Sequence, residues 1–247
     1  MDIFPAIDLQ DGQCVRLTRG DFSAAKVYES DPFAQAQRFA AAGAEWLHVV
    51  DLDGARQGGS RQFDLIAGIA RRVSLRIQVG GGIRDAETIE KLLDCGVARV
   101  IVGSLAAKNP QLVGDWLARL GSGRMVAAFD VQCDAAGEPV VLTGGWQERS
   151  GLSLWQLLEQ YAGSGLETIL CTDVDRDGML SGSNTRLYGD LRDRWPSLRV
   201  LASGGVRDMA ELLALRDAGL AGAIVGKAIY EGRIDLAAAI AQVKHAG

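Results

Sequence analysis

Two stretches of this chain carry one pattern. G-G-I-R-D-A-E-T-I-E-K-L-L-D-C-G-V-A-R-V-I-V-G-S at 81–104 aligns without a gap to G-G-V-R-D-M-A-E-L-L-A-L-R-D-A-G-L-A-G-A-I-V-G-K at 204–227, an offset of 123 residues with 11 of 24 positions identical. At an offset of 122, Ala6-Ile7-Asp8 falls on Ala128-Phe129-Asp130, and Val50-Asp51-Leu52-Asp53 falls on Thr172-Asp173-Val174-Asp175. The chain reads as two similar halves, approximately 1–122 and 123–247. Half an open parallel sheet cannot bury its own faces, so the natural closure is a single α/β (β/α)8 TIM barrel, one domain over 1–247, with approximate two-fold symmetry. A doubly wound open sheet is the alternative fold.

The rest of the chain agrees with eight βα units. Apolar runs centred on Phe4 to Ile7, Trp46 to Val50, Arg76 to Val79, Arg99 to Val102, Met125 to Phe129, Thr168 to Cys171, Arg199 to Ala202 and Ala223 to Val225 read as strands buried on both faces. Between and after them, helical patterns fall near 33–42, 62–72, 86–95, 110–120, 153–163, 184–195, 208–218 and 235–245. Pro110 suits a first helical turn, and Asp208 followed by Glu211 has the form of a capping box. Two insertions break the regularity. Cys14 to Arg19 with Lys26 to Glu29 reads as a hairpin after the first strand, and Val140 to Thr143 suggests another after the fifth. Long loops there can cover a site.

Charge narrows the function. Acidic residues outnumber basic ones, 31 to 26, and the basic ones are scattered, so the footprint of a nucleic-acid binder is missing. No apolar stretch approaches the roughly 20 residues that span a bilayer, and the opening Met-Asp-Ile-Phe-Pro lacks a basic region, so a cytoplasmic location is expected. Cys14, Cys95, Cys133 and Cys171 are too dispersed for a disulfide scaffold or a zinc site and read as reduced thiols. With only His48 and His245, a His-rich metal centre is not expected, and acid–base chemistry falls to carboxylates.

In each half a strand ends in glycines, Gly80-Gly81-Gly82 or Gly204-Gly205, and the next ends in Val102-Gly103-Ser104 or Val225-Gly226-Lys227. Glycine lets backbone N–H groups approach an anion, and in barrels the loops after strands seven and eight frequently hold a phosphate. The repeat then places one cradle at Gly204, Gly205, Gly226 and Lys227 and a mirror cradle at Gly81, Gly82, Gly103 and Ser104. Two cradles imply a small-molecule ligand with two phosphates. The plainer reading is that these glycines only permit tight βα turns.

Asp8 and Asp130 end equivalent strands, so both should project into the C-terminal mouth, where an acidic residue reads as catalytic. A pair of carboxylates can divide general base and general acid work. Either can instead cap the following loop. Asp177, in Asp175-Arg176-Asp177-Gly178, is a third candidate acid, and Thr172 can orient a carboxylate or a substrate hydroxyl. Asp51, Asp173, Asp53 and Asp175 read better as loop-holding groups. Trp146, in Thr143-Gly144-Gly145-Trp146, either stacks on a heteroaromatic ring or tucks over the rim. Arg16, Arg19 and Arg84 can neutralise phosphates or pair with acids. His48 lies within a strand, where a satisfied core histidine competes with a role near the mouth.

At these residues the sequence resembles the phosphoribosylformimino-5-aminoimidazole carboxamide ribotide isomerase (HisA) family of histidine biosynthesis. The likeness runs over essentially the whole chain, through P-A-I-D-L-Q-D-G-Q-C-V-R-L at 5–17, L-H-V-V-D-L-D-G-A at 47–55, G-G-G-I-R at 80–84, A-A-F-D-V at 127–131, G-G-W at 144–146, D-R-D-G at 175–178 and A-S-G-G-V at 202–206. The resemblance implies an Amadori rearrangement of an aminoaldose to an aminoketose, without cofactor or metal. It implies Asp8 as the base at ribose C2′, with Asp130 or Asp177 as the acid at the ring oxygen. It carries phosphate contacts onto Gly82, Gly103 and Ser104 in one half and Gly178, Gly204, Gly205, Gly226 and Lys227 in the other, and stacks Trp146 on the aminoimidazole carboxamide. A monomer is expected by the same resemblance.

Three alternatives stay open. The cyclase subunit of imidazole glycerol phosphate synthase shares the duplicated barrel and both aspartates, but its opening carries a Cys two positions before the first Asp and a Lys after it. Here Ala6 and the V-R-L segment stand in those neighbourhoods, which favours the isomerase. A dual-substrate relative that also isomerises phosphoribosylanthranilate is expected to carry an Arg near the loop tryptophan, where this chain has Gly144 and Gly145. A non-catalytic sensor of phosphorylated ligands would gain nothing from two anions beside its ligand.

Overall fold

A computed structural model of the chain describes residues 1–18 and 21–244. In the first half, β1 (Asp2–Gln10), β2 (Gln13–Thr18) and β3 (Asp21–Glu29) lead to α1 (Pro32–Ala41), then β4 (Trp46–Asp51), α2 (Leu52–Gln57) and α3 (Phe63–Arg72). β5 (Arg76–Gly80), α4 (Ala86–Asp94), β6 (Arg99–Val102), α5 (Ser104–Lys108) and α6 (Pro110–Leu120) complete it. The second half holds β7 (Met125–Cys133), β8 (Pro139–Thr143), β9 (Glu148–Ser153), α7 (Leu154–Gln160), β10 (Thr168–Asp173) and α8 (Thr185–Arg194). It ends with β11 (Arg199–Ser203), α9 (Met209–Asp217), β12 (Gly222–Val225), α10 (Lys227–Tyr230) and α11 (Leu236–Lys244).

The strands β1, β4, β5, β6, β7, β10, β11 and β12 pair in parallel in that order, and the ring closes through Ile3 opposite Ala223. This is the eight-stranded TIM barrel expected from the repeat. Both expected hairpins are present, β2–β3 hung antiparallel on β1 and β8–β9 on β7. Arg19 lies outside the described residues, as does His245.

Alternation along the strands sorts side chains into two cores. Ile3, Ile7 and Leu9 face the helices, whereas Phe4 and Ala6 join Trp46, Ile101, Val126, Ala128, Leu170, Leu201 and Ile224 in the lumen. Asp8 continues the inward series Phe4–Ala6, and Asp130 continues Val126–Ala128. Both carboxylates therefore crown the lumen at the C-terminal ends of their strands.

The helices start where the sequence places a cap. Asp85 accepts from the Thr88 N–H at 2.7 Å, Asn109 caps α6 ahead of Pro110, and Ser153 forms a reciprocal capping box with Gln156. Asp208 caps α9 by accepting from Glu211 N, but the expected box is only half formed. The Glu211 carboxylate turns instead to the Ser183 N–H at 2.9 Å, fastening the loop after β10. The short helices α2, α5 and α10 were not foreseen. No helix among the described residues is long and apolar enough to cross a membrane.

Candidate active site

Each crown carboxylate is met by a donor from the hairpin of its own half. Arg16 of β2 donates from Nη1 to Asp8 Oδ2 at 2.7 Å and from Nη2 to the Ala6 carbonyl at 2.7 Å, with the Tyr230 ring 5.5 Å from its guanidinium carbon. Trp146, at the tip of the β8–β9 hairpin, donates from Nε1 to Asp130 Oδ2 at 3.0 Å. The tip turns through three consecutive left-handed residues, Gly144, Gly145 and Trp146, at φ 63°, 67° and 72°. A tryptophan held there costs on the order of 1–2 kcal/mol, so its indole is placed by the surrounding structure rather than by local preference.

Burial raises the pKa of all three candidate acids. For Asp8 it outweighs the Arg16 cation, and for Asp130 it outweighs hydrogen bonds from Trp146 and from Thr172, its partner in register on β10. Asp177 is pushed up to about 6 by burial, held back by Arg16 and reinforced by the negative charges of Asp8 and Asp130. Asp177 thus senses both strand-end acids in one mouth.

The symmetric aspartates at the ends of the neighbouring strands and just past them hold loops, as their sequence reading favoured. Asp51 takes the N–H groups of Gly54, Arg61 and Gln62, and Asp173 takes Asp175 N and Asn184 Nδ2. Asp53 receives Asp11 N from the β1–β2 turn, and Asp175 receives Gln132 Nε2, so each ties down the hairpin of the preceding unit.

Packing gives the glycine clusters a second reason to be glycine. Gly81 and Gly204 have φ of 101° and 92°, and a Cβ would lie 2.2 Å from the Asp51 carbonyl oxygen or 2.6 Å from that of Asp173. Gly82 and Gly205 lie equally close to the carbonyls of Gly59 and Gly182, whose N–H groups bond back to them. Gly103 differs: space around it is open, and it precedes α5 with no side-chain cap. Gly226 stands in the same position before α10, with the Arg16 guanidinium against it. Ser104 Oγ accepts from Gly144 N at 3.1 Å, and Lys227 Nζ donates to the Gly178 carbonyl at 2.9 Å, so each cradle touches a loop of the second half.

Two expected substrate contacts have their recorded partners elsewhere than on the acids. His48 is buried in the lumen beside Ala6, one inward step below Asp8, with Nδ1 on Gln78, whose Oε1 accepts from Arg99. Burial and the charges of Arg16 and Arg99 push its pKa down to about 3, so it is neutral. That matches the satisfied core histidine. Arg84 is exposed on the β5–α4 loop and lies against Gly58. Tyr230 and Gln132 were missed. Tyr230 follows the Gly226-Lys227 loop by one turn and donates to the Ala6 carbonyl; Gln132 is two residues past Asp130, hence on its face.

The family model described as histidine biosynthesis protein matches residues 2–235, nearly the whole chain.

Proposed function

The chain belongs to the histidine biosynthesis protein family, which holds both the ribotide isomerase and the cyclase, and from that footing we propose that it is the isomerase. Its substrate would be the bisphosphorylated N′-(5′-phosphoribosyl)formimino-5-aminoimidazole-4-carboxamide ribonucleotide, rearranged from aminoaldose to aminoketose. The observation that carries the reading is the surroundings of Asp8 in a mouth shared with Asp130 and Asp177: Ala6 and the V-R-L segment with Arg16 stand where the cyclase carries a Cys and a Lys.

An Amadori rearrangement needs only proton transfers. Protonation of the ribose ring oxygen opens the ring to an iminium, loss of the C2′ proton gives an enolamine, and tautomerisation leaves the ketone. Asp8, whose charged form is favoured by the Arg16 hydrogen bond although burial works against it, would serve as the base. Of the two candidate acids, Asp177 suits proton donation better: at about 6 it retains protons near neutrality, whereas Asp130 receives two hydrogen bonds that favour its charged form. Thr172 then orients Asp130. The phosphates would sit on Gly82, Gly103 and Ser104 and on Gly178, Gly204, Gly205, Gly226 and Lys227. The Arg16 guanidinium lies against Gly226 and would add its positive charge to the second phosphate site. The protein acts as a monomer.

The test is an assay of the purified protein on the aminoaldose beside Asp8→Asn. Wild type should produce the aminoketose, and the variant should lose roughly 10³-fold or more in kcat while its ligand affinity changes only several-fold. Formation of imidazole glycerol phosphate from the aminoketose and ammonia would make it the cyclase instead. Binding without turnover of either substrate would make it a sensor.

A further inference from the structure

Beside the second hairpin lies a linked polar triad, two charges joined by one amide, that the proposed chemistry does not use. Directly opposed residues on antiparallel strands share a face. Asp130 lies opposite Leu142, and Leu142 opposite Arg149, so Arg149 stands on the catalytic face two strands out from Asp130. Gln132 joins that face by alternation along β7. Its amide is fixed from both ends: Oε1 accepts from Arg149 Nη2 at 2.8 Å, and Nε2 donates to Asp175 Oδ1 at 2.9 Å. Gln132, Arg149 and Asp175 line an open cleft of about 540 Å³ together with Leu142, Val174 and the Trp146 indole. The cleft thus has apolar contacts from Leu142 and Val174, an aromatic wall, one cation and one anion spaced by the Gln132 amide, and a second amide, Gln147, on its lining.

We infer that Arg149, Gln132 and Asp175 form a specificity site that reads a planar primary carboxamide at the end of the substrate's heteroaromatic ring. This rests on the isomerase reading for the ring's presence, while the recognition itself is a property of the cleft. A carboxamide offers a carbonyl oxygen to Arg149 and an N–H to Asp175, so both charges are satisfied at once. A carboxylate in the same place satisfies Arg149 and is repelled by Asp175. The Asp175 charge therefore sets the preference for amide over acid, and Arg149 supplies affinity for both. Gln132 holds the two apart at amide width and fixes which is donor and which is acceptor.

Equilibrium binding tests this without turnover. The probes are 5-aminoimidazole-4-carboxamide ribonucleotide and its 4-carboxylate analogue, titrated calorimetrically into wild type, Asp175→Asn and Arg149→Met. Wild type should prefer the amide by 10-fold or more. Asp175→Asn should bring the ratio near unity by gaining affinity for the carboxylate, and Arg149→Met should weaken both probes at least 10-fold. Both substitutions are on the exposed rim, and unchanged melting temperatures establish that the fold is intact. Equal binding of the two probes by wild type, or the same amide preference in Asp175→Asn, overturns the assignment. Turnover of the aminoaldose, measured in parallel, reports separately on the isomerase reading: a correct amide preference in a protein without isomerase activity keeps the cleft and discards the reaction.

Discussion

Asp177 illustrates what one side chain costs and does. Its carboxyl titrates at about 6 instead of the ordinary 3.8, because burial disfavours the charged form. A carboxyl raised in the folded state has no linkage effect below the unfolded value, and its cost grows as pH climbs from about 4 to about 6 and persists above. At roughly 1.4 kcal/mol per unit, the ionised group destabilises the fold by about 2–3 kcal/mol at neutral pH. Asp177→Asn should therefore melt higher than wild type at pH 8 and match it near pH 3. The same variant should lose roughly 10²- to 10⁴-fold in kcat, along with the alkaline limb of its pH profile. A variant no more stable than wild type at pH 8 would place the carboxyl in water. None of this was legible beforehand: the D-R-D-G motif marks Asp177 as a candidate, but its burial depends on how the loop after β10 packs under Arg16.

At the scale of elements, what was readable follows a physical divide. The eight barrel strands announced themselves because each is apolar on both faces, and the longer helices because two to three turns are enough to show a period. The helices α2, α5 and α10 have four to six residues, too few for an amphipathic stripe. The strand β9, E-R-S-G-L-S, has neither alternation nor apolar bulk, and forms because β8 offers it a backbone edge. The repeated glycines were legible as a pattern but not as a cause. Gly81→Ala would set a Cβ 2.2 Å from a buried carbonyl oxygen at a left-handed φ, and should cost about 2–4 kcal/mol in denaturant unfolding. Gly103→Ala meets open space at negative φ and should leave stability within roughly 0.5 kcal/mol while raising KM. If both variants unfold alike, or if Gly103→Ala binds substrate normally, the first cradle is only a turn.

For the molecule as a whole, the duplication predicts stoichiometry. Inorganic phosphate titrated against the protein should fill two sites, and Lys227→Met should weaken one of them while leaving the other unchanged. A single site, or a pair that weakens together, would separate the two-fold symmetry of the barrel from its ligand. The barrel was legible from the offset alone. The convergence of Asp8, Asp130 and Asp177 in one mouth was only half legible, since alternation aims the first two side chains inward while nothing in the local sequence brings the third to them.

A nearly symmetric mouth would leave a doubly phosphorylated guest free to lie in either of two polarities, only one of them productive. The fasteners on the two acids are unlike, a guanidinium on Asp8 and an indole on Asp130. One prefers an anion and the other a flat ring, so the two repeats supply the vessel's left and right hands.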